Sequence, residues 1–134
     1  MANAVLDAHA LLAYLERESG FAVVRDLLAQ ALKGDAALSI TTVNVGEVLY
    51  IVRREQGVEK AEEIEAIIHT LPVSIIDVDL GLARETARFK AAAKMSYADC
   101  FAAALASIRR ASLVTGDPEF KAVEDEIDVI WLEQ

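Results

Sequence analysis

Short apolar runs alternate along the chain with segments whose apolar residues recur at helical spacing. Runs of this kind, bounded by polar residues or glycine, favour buried strands. Five strands are predicted, at residues 4–6, 38–40, 73–78, 113–115 and 129–132. Successive side chains of a strand point to opposite faces of the sheet, and here most of them are apolar on both faces. Such strands are typical of a parallel sheet that helices cover on both sides.

The segments between the strands have the apolar spacing of amphipathic helices. The spacing is clearest after residue 42, where Val45, Val48, Leu49 and Val52 recur on one helical face. Further helices are predicted through residues 11–15, 21–33, 59–69, 82–89 and 96–110. Alternation of strands and helices indicates an α/β fold, in which ligands bind beyond the carboxyl ends of the strands.

The composition is that of a globular protein. Of 134 residues, 54% are hydrophobic and 26% charged, and no segment rich in Gly, Pro or Ser divides the chain, so residues 1–134 are expected to form a single domain. Cys100 is the only cysteine, which excludes an internal disulfide. No basic region precedes the N-terminal apolar run, and the longest apolar run, residues 100–106, is far shorter than the roughly 20 residues that span a bilayer. A cytoplasmic location is expected.

Four acidic residues stand where this architecture places its ligands. Asp7 ends the first predicted strand, Glu47 lies in the helix after the second, Asp99 lies in the first turn of a helix after the third, and Asp117 follows the fourth. Carboxylates crowded at one edge repel one another unless a cation is bound, and oxygen ligands without His or Cys favour Mg²⁺ or Mn²⁺. Ions held in this way can activate water against a phosphodiester.

Each acid also fits a purely structural role at the start of a helix. A side-chain oxygen there accepts a backbone N–H, and an acid three residues later can complete a capping box. These roles would be an N-cap for Asp7 and for Asp117, which precedes Pro118, and a capping box for Asn44 with Glu47 and for Ser96 with Asp99. The expected convergence of all four acids at one edge favours a metal site over four separate caps.

Four segments around these acids resemble the motifs of PIN-domain ribonucleases. They are VLDAHALL at residues 5–12, TTVNVGEVLY at 41–50, SYADCFAAALA at 96–106 and LVTGDPEF at 113–120. The segments follow one another in the family's order and span nearly the whole chain. Its length and its Ser-Tyr-Ala-Asp block make the chain most similar to VapC-type toxins of toxin–antitoxin pairs.

The resemblance implies a Rossmann-like three-layer α/β/α sandwich, with a mainly parallel five-stranded sheet, that acts as a metal-dependent endoribonuclease. It also implies an RNA substrate, a homodimer and inhibition by a small antitoxin. By position, the catalytic and metal-binding residues for Mg²⁺ or Mn²⁺ would be Asp7, Glu47, Asp99 and Asp117, with Thr115 and Asn44 in support.

Two expectations about partners also follow from the residues themselves. The apolar succession at residues 48–52 exceeds what one helix face buries against a sheet, which indicates a second buried face such as a two-fold dimer provides. An acidic pocket that attracts a metal also attracts a cationic side chain. An antitoxin is therefore expected to insert an Arg or Lys into it.

The net charge argues against broad nucleic-acid binding. The chain has 13 basic and 22 acidic residues and a formal charge of −9, whereas phosphate affinity comes mainly from Lys and Arg. In a nuclease of this charge, metal ions would meet the scissile phosphate, and local basic groups would hold the flanking backbone unless they are merely solvated helix faces. The candidates are Arg53, Arg54, Arg84, Arg88, Lys90 and Lys94.

Two other function classes share parts of this pattern. A phospho-acceptor receiver domain has a similar length, a parallel sheet and an acidic Mg²⁺ pocket. It needs paired acids after the first strand and a Lys at the fifth, but this chain has Asp7 alone and no Lys in residues 129–134. A catalytically silent PIN-like binding domain would not need all four acids.

Four further residues have no assigned part in this chemistry. The role of His9, two residues after Asp7, is left open. Cys100 is interpreted as a small core residue and Asp79 as the cap of the next helix. Trp131 is interpreted as a core or interface residue rather than a platform on which a base stacks.

Overall fold

In the computed structural model, which describes residues 2–132, five strands form one sheet. They are β1 (Ala2–Leu6), β2 (Ala36–Thr41), β3 (Ser74–Ile76), β4 (Ser112–Thr115) and β5 (Val129–Trp131). All four neighbouring pairs are parallel, in the order β3-β2-β1-β4-β5. The expected α/β class and five-stranded parallel sheet are confirmed.

This strand order determines where a ligand would bind. The chain runs outward from β1 to β3 and then returns to the other side of β1, so that the direction of winding reverses between β1 and β4. In open α/β sheets, ligands bind at the carboxyl ends of the strands beside this reversal. The order also differs from the 2-1-3-4-5 order of receiver domains, which removes that alternative.

Helices cover both faces of the sheet. Their bounds are α1 (Ala8–Leu15), α2 (Phe21–Leu32), α3 (Thr42–Gln56), α4 (Val58–Ile68), α5 (Leu80–Ala92), α6 (Tyr97–Arg109) and a 3₁₀ helix (Pro118–Val123). One hydrophobic core packs α1 to α4 on one face, and the other packs α5, α6 and the 3₁₀ helix on the opposite face. The three-layer sandwich is therefore confirmed.

Successive residues of the central strands point into different cores, as the pleat of a strand requires. Val5 lies in the core under α6, whereas Leu6 lies in the core under α1 to α4, and both are fully buried. In β4, Leu113 likewise lies in the core under α6, and Val114 lies in the core under α1 to α4. This explains why these strands are continuous apolar runs in the sequence.

The structure departs from the sequence-based expectation mainly after β2. β3 covers only Ser74–Ile76 instead of residues 73–78, and it lies at an edge of the sheet with all three residues at least partly exposed. The two helices expected between β3 and β4 are both present, and Asp99 lies on the second of them. None of the helices within residues 2–132 has the length and apolar character needed to cross a membrane.

Candidate metal centre at the carboxyl edge of the sheet

Asp7 is fixed by two hydrogen bonds at the end of β1. Its Oδ1 accepts the N–H of Ala10 at 2.8 Å and so caps α1, while its Oδ2 accepts the Thr115 hydroxyl at 2.5 Å. Asp7 is only 2% exposed. The capping role and the place at the sheet edge therefore belong to the same side chain.

Thr115 connects Asp7 with Asp117 across the reversal of the sheet. Its hydroxyl oxygen donates to Asp7 and accepts the backbone N–H of Asp117 at 3.0 Å. Asp117 in turn accepts the N–H of Glu119 at 2.9 Å and caps the 3₁₀ helix, with Pro118 in its first turn. One buried hydroxyl thus orients a carboxylate on β1 and the backbone that carries a second one.

Asn44 brings the third acid, Glu47, into the same place. The Asn44 amide donates to Glu47 Oε1 at 3.4 Å and to the backbone oxygen of Ala98 at 3.1 Å, which fastens α3 to α6. The alternative interpretation of Asn44 with Glu47 as a capping box is wrong, because Thr41 is the N-cap of α3. Its hydroxyl accepts the Asn44 N–H at 3.0 Å and donates to Asn44 Oδ1 at 2.6 Å.

Asp99 reaches the edge from the first turn of α6. Ser96 caps that helix by accepting the Asp99 N–H at 3.1 Å, as the spacing predicted. The next turns of α6 carry Ala102, Ala103 and Ala104, all fully buried, and such small side chains let the helix axis lie close to the sheet. Asp99 is accordingly 8% exposed.

A fifth acid, Glu119, belongs to the group but had no role in the sequence-based assignment. Carboxylate oxygens of Asp99, Asp117 and Glu119 all lie within 4.8 Å of one another. The one signal in the sequence was its place two residues after Asp117. Only the 3₁₀ turn that begins at Pro118 shows that this spacing keeps both acids at the same edge. Asp7, Glu47, Asp99, Asp117 and Glu119 are called the acidic cluster below.

Burial and mutual repulsion raise the pKa values within the acidic cluster. Burial raises the pKa of Asp7 to about 7, against the lowering effect of its two hydrogen bonds, and the charges of Asp99 and Glu47 add to it. Burial also raises the pKa of Asp99 to about 7, with further contributions from Asp117, Glu47 and Glu119. The pKa of Glu47 rises chiefly through burial. Within residues 2–132, none of the five acids is paired with a Lys, Arg or His.

The family model of the PIN domain matches residues 4–126 of this chain. The chain belongs to the PIN-domain family. No curated protein sequence is significantly similar to it.

Solved structures of similar fold include several toxin–antitoxin proteins. The chain is similar to VapBC2 from Rickettsia felis at a TM-score of 0.79 and 15% identity, covering 98% of this chain and 99% of that one. It is similar to VapBC from Salmonella typhimurium at a TM-score of 0.74 and 17% identity, and the match covers 97% of this chain and 98% of that one. It is also similar to VapC20 from Mycobacterium tuberculosis, which is described as a toxin that cleaves the sarcin–ricin loop. The TM-score is 0.72 and the identity 15%, and the match covers 90% of this chain and 94% of that one. At these identities the likeness establishes the fold.

His9 borders the acidic cluster of this PIN domain without joining it. A Cβ atom added to Gly116 would lie 2.4 Å from His9 Cε1, so the exposed imidazole rests directly against the backbone between Thr115 and Asp117. A side chain at position 116 would displace that ring. The glycine is therefore explained by a close approach and not by an unusual backbone angle.

The remaining sequence-based interpretations divide into confirmed and altered ones. Asp79 caps α5 by accepting the Leu82 N–H at 2.8 Å, and Cys100 is buried in the core. Of the candidate RNA-binding cations, three already contact other groups of the chain. Arg54 lies over the Tyr50 ring, Arg88 pairs with Glu85 and Glu126, and Lys90 donates to the backbone oxygen of Met95.

We predict that the metal-free protein becomes less stable as the pH rises from 5 to 8. A carboxyl whose pKa is raised from its ordinary 3.8 to about 7 in the folded chain stabilises the fold below the lower value and loses that contribution as the pH passes 7. The loss is about 1.4 kcal/mol for each unit by which a pKa is raised. Thermal melts in a chelator should show it, and Asp99→Asn should flatten the profile. A melting temperature that climbs from pH 5 to 8 would contradict the prediction.

Proposed function

We propose that this PIN domain is a metal-dependent endoribonuclease that hydrolyses RNA phosphodiester bonds. The observation that carries the proposal is the acidic cluster, which lies beside the reversal of the sheet and has no cationic partner within the described chain. Three of its carboxylates, those of Asp99, Asp117 and Glu119, lie within 4.8 Å of one another, and oxygen ligands without His or Cys suit Mg²⁺ or Mn²⁺. A bound ion of this kind supplies an activated water molecule and offsets the charge of the phosphate.

The residues of the chain hold and orient this site. Asp7, Glu47, Asp99 and Asp117 are proposed as the metal ligands and catalytic residues, and Glu119 adds a more exposed carboxylate beside Asp99 and Asp117. Thr115 and Asn44 are positioning residues, because their hydrogen bonds orient the Asp7 and Glu47 carboxylates. At neutral pH, Asp7 and Asp99 hold a share of protons that metal binding would release.

RNA is the proposed substrate because of a structural relative and not because of a feature of the cluster. VapC20, of the same fold, is described as a toxin that cleaves the sarcin–ricin loop. The alternative of a catalytically silent binding domain is disfavoured, since all four expected acids are present and are electrostatically coupled to one another. A toxin role within the cytoplasm is proposed from the VapBC identity of the structural relatives.

We predict that cleavage of RNA requires Mg²⁺ or Mn²⁺ and that Asp99→Asn abolishes it. Asparagine keeps the shape of the side chain but removes a charge that the metal needs, and relief of repulsion should leave stability unchanged or slightly higher. Cleavage of labelled RNA and thermal melting measure the two effects. Asp79→Asn is the matched control, because Asp79 is also an aspartate near a helix start but lies outside the acidic cluster. Robust cleavage by metal-stripped protein in EDTA would falsify the proposal.

We further propose a small antitoxin that inserts an Arg or Lys into the acidic cluster. A planar guanidinium can bridge two carboxylates, and its charge relieves the same repulsion that a metal relieves. An apolar helix of the same partner would supply most of the affinity, and the cation would supply inhibition. The VapBC structures similar to this chain support a protein partner of this kind.

We predict that replacing Asp7 and Asp117 together by Asn weakens binding of the protein encoded by the adjacent reading frame by about tenfold or more. Asn still caps a helix, so the fold should survive, whereas the inserted cation loses two counter-charges. Calorimetry measures the affinity, and melts confirm folding. If the double variant binds as tightly as the wild type, inhibition works by covering the RNA path. Removing the segment of the partner that carries the inserted Arg or Lys should restore cleavage more than it weakens binding.

A homodimer is proposed from the surface of α3 and α4. The apolar succession at residues 48–52 divides in the structure, because Val48 and Val52 are buried while Tyr50 is 54% exposed. Tyr50 and the exposed Val58 line a cavity of about 300 Å³ between the two helices. Apolar surface left open in this way is typical of an interface.

We predict that light scattering at micromolar concentration gives about twice 14.5 kDa. Tyr50→Glu should convert the protein to a monomer, because it removes the apolar ring and introduces a charge that must be desolvated when the interface forms. Ile108→Glu tests the location, since Ile108 is similarly exposed, at 51%, but lies at the far end of α6. A wild-type chain that is a clean monomer would overturn the proposal.

A further inference from the structure

A small cavity lies where the segment around Asp117 meets β5. Its volume is about 220 Å³, and it is lined by Gly116, Pro118, Lys121 and Trp131. Gly116 and Pro118 are the two chain neighbours of Asp117, so the cavity lies beside the backbone that carries this acid. Sites for drug-sized ligands measure about 300–1,000 Å³, and this cavity has room for a single ring system.

Trp131 gives the cavity an aromatic wall that is already held in place. It lies on the edge strand β5, is half-buried and packs against the core under α6. Its indole N–H donates to Glu124 Oε2 at 2.8 Å. A ring fixed in this way loses little conformational freedom when a ligand stacks on it.

Lys121 gives the same cavity a cation that is free to bind an anion. It is exposed, and no hydrogen bond or ion pair of its ammonium group occurs within residues 2–132, in contrast to Arg54, Arg88 and Lys90. Other cations of residues 2–132, such as Lys33 and Arg84, also lack an ion pair, and what distinguishes Lys121 is that it lines this cavity. Beside an aromatic wall, it offers the two contacts that single-stranded RNA uses, which are stacking of a base and pairing of a phosphate.

We infer that this cavity is a nucleobase subsite, in which an unpaired RNA base stacks on Trp131 while Lys121 binds an adjoining phosphate. The inference rests on the proposed function and deepens it, because a base held here leaves the neighbouring phosphodiester beside Asp117. It reverses the expectation that Trp131 serves only the core or an interface. The cavity would therefore hold the base next to the cleaved bond, with a modest preference set by how strongly each base stacks.

The single tryptophan of the chain provides a direct test. Asp99→Asn protein, which cannot cleave, is titrated with single-stranded RNA hexamers of A, C, G or U while Trp131 fluorescence is recorded. Saturable quenching that differs among the four bases is expected. Lys121→Ala should reduce the slope of log affinity against log salt by about 0.7, the value for one phosphate contact to a single strand. Lys33→Ala, at the opposite edge of the sheet before β2, should leave the slope unchanged.

Cleavage by otherwise wild-type protein provides the second arm. Trp131→Leu should lose the preference for one base beside the cleaved bond and lower kcat/KM about tenfold, whereas Trp131→Phe should keep part of both. If Trp131→Leu does not fold, the fluorescence titration and Lys121→Ala still decide the question.

The outcomes separate this inference from the proposed function. Quenching that depends on the base and on Lys121, in a protein that cleaves no RNA, would support the subsite and reject the nuclease. RNA cleavage without any quenching, and with an unchanged base preference in Trp131→Leu, would overturn the subsite and leave the nuclease. Quenching by the antitoxin but not by RNA would also overturn it, since the cavity would then bind a protein side chain.

Discussion

Repulsion among carboxylates crowded at one edge of the sheet is the constraint to which the rest of the structure is fitted. Nothing in the described chain neutralises the acidic cluster, so the side chains are kept together by fixed donors instead. Asp7 accepts the Ala10 N–H and the Thr115 hydroxyl, and Asp117 accepts the Glu119 N–H. These helix starts face the cluster with their positive ends, which lowers the repulsion without removing it. The pKa values of Asp7 and Asp99 stay raised, through burial and through the repulsion that the donors leave in place.

The same donors show why structural and functional interpretations of an acid need not exclude each other. Asp7 and Asp117 are helix caps by geometry, and both lie in the cluster. Asp79 is a cap of the same kind, yet it lies outside the cluster. Asp7 and Asp117 follow β1 and β4, the two strands at the reversal, whereas Asp79 follows the edge strand β3. The position of the preceding strand in the sheet, and not the local sequence, therefore decides which cap joins the cluster. A capping pattern in the sequence therefore does not show which acidic cap belongs to the cluster.

Much of the sheet edge could be predicted from the sequence, because apolar runs mark buried parallel strands and the acids follow their ends. Details that depend on tertiary contacts could not. From the sequence, either Thr41 or Asn44 could be the N-cap of α3. The structure shows that Thr41 caps the helix, because the Asn44 side chain is used instead for a hydrogen bond to the backbone oxygen of Ala98 on α6. The inclusion of Glu119 depends on a 3₁₀ turn. The contact of His9 with Gly116 joins residues more than a hundred positions apart.

The distribution of positive charge completes the physical argument. A chain of net charge −9 repels RNA at long range, so any RNA that binds must be held by contacts close to the cluster. Arg88 is already engaged by Glu85 and Glu126 on the side of α5, and its guanidinium is thereby withdrawn from any ligand. Lys121 has no such partner within residues 2–132 and lies four residues after Asp117. In the proposed nuclease, the local placement of a few free cations, rather than the overall charge, would allow an acidic protein to bind a polyanion beside a metal site.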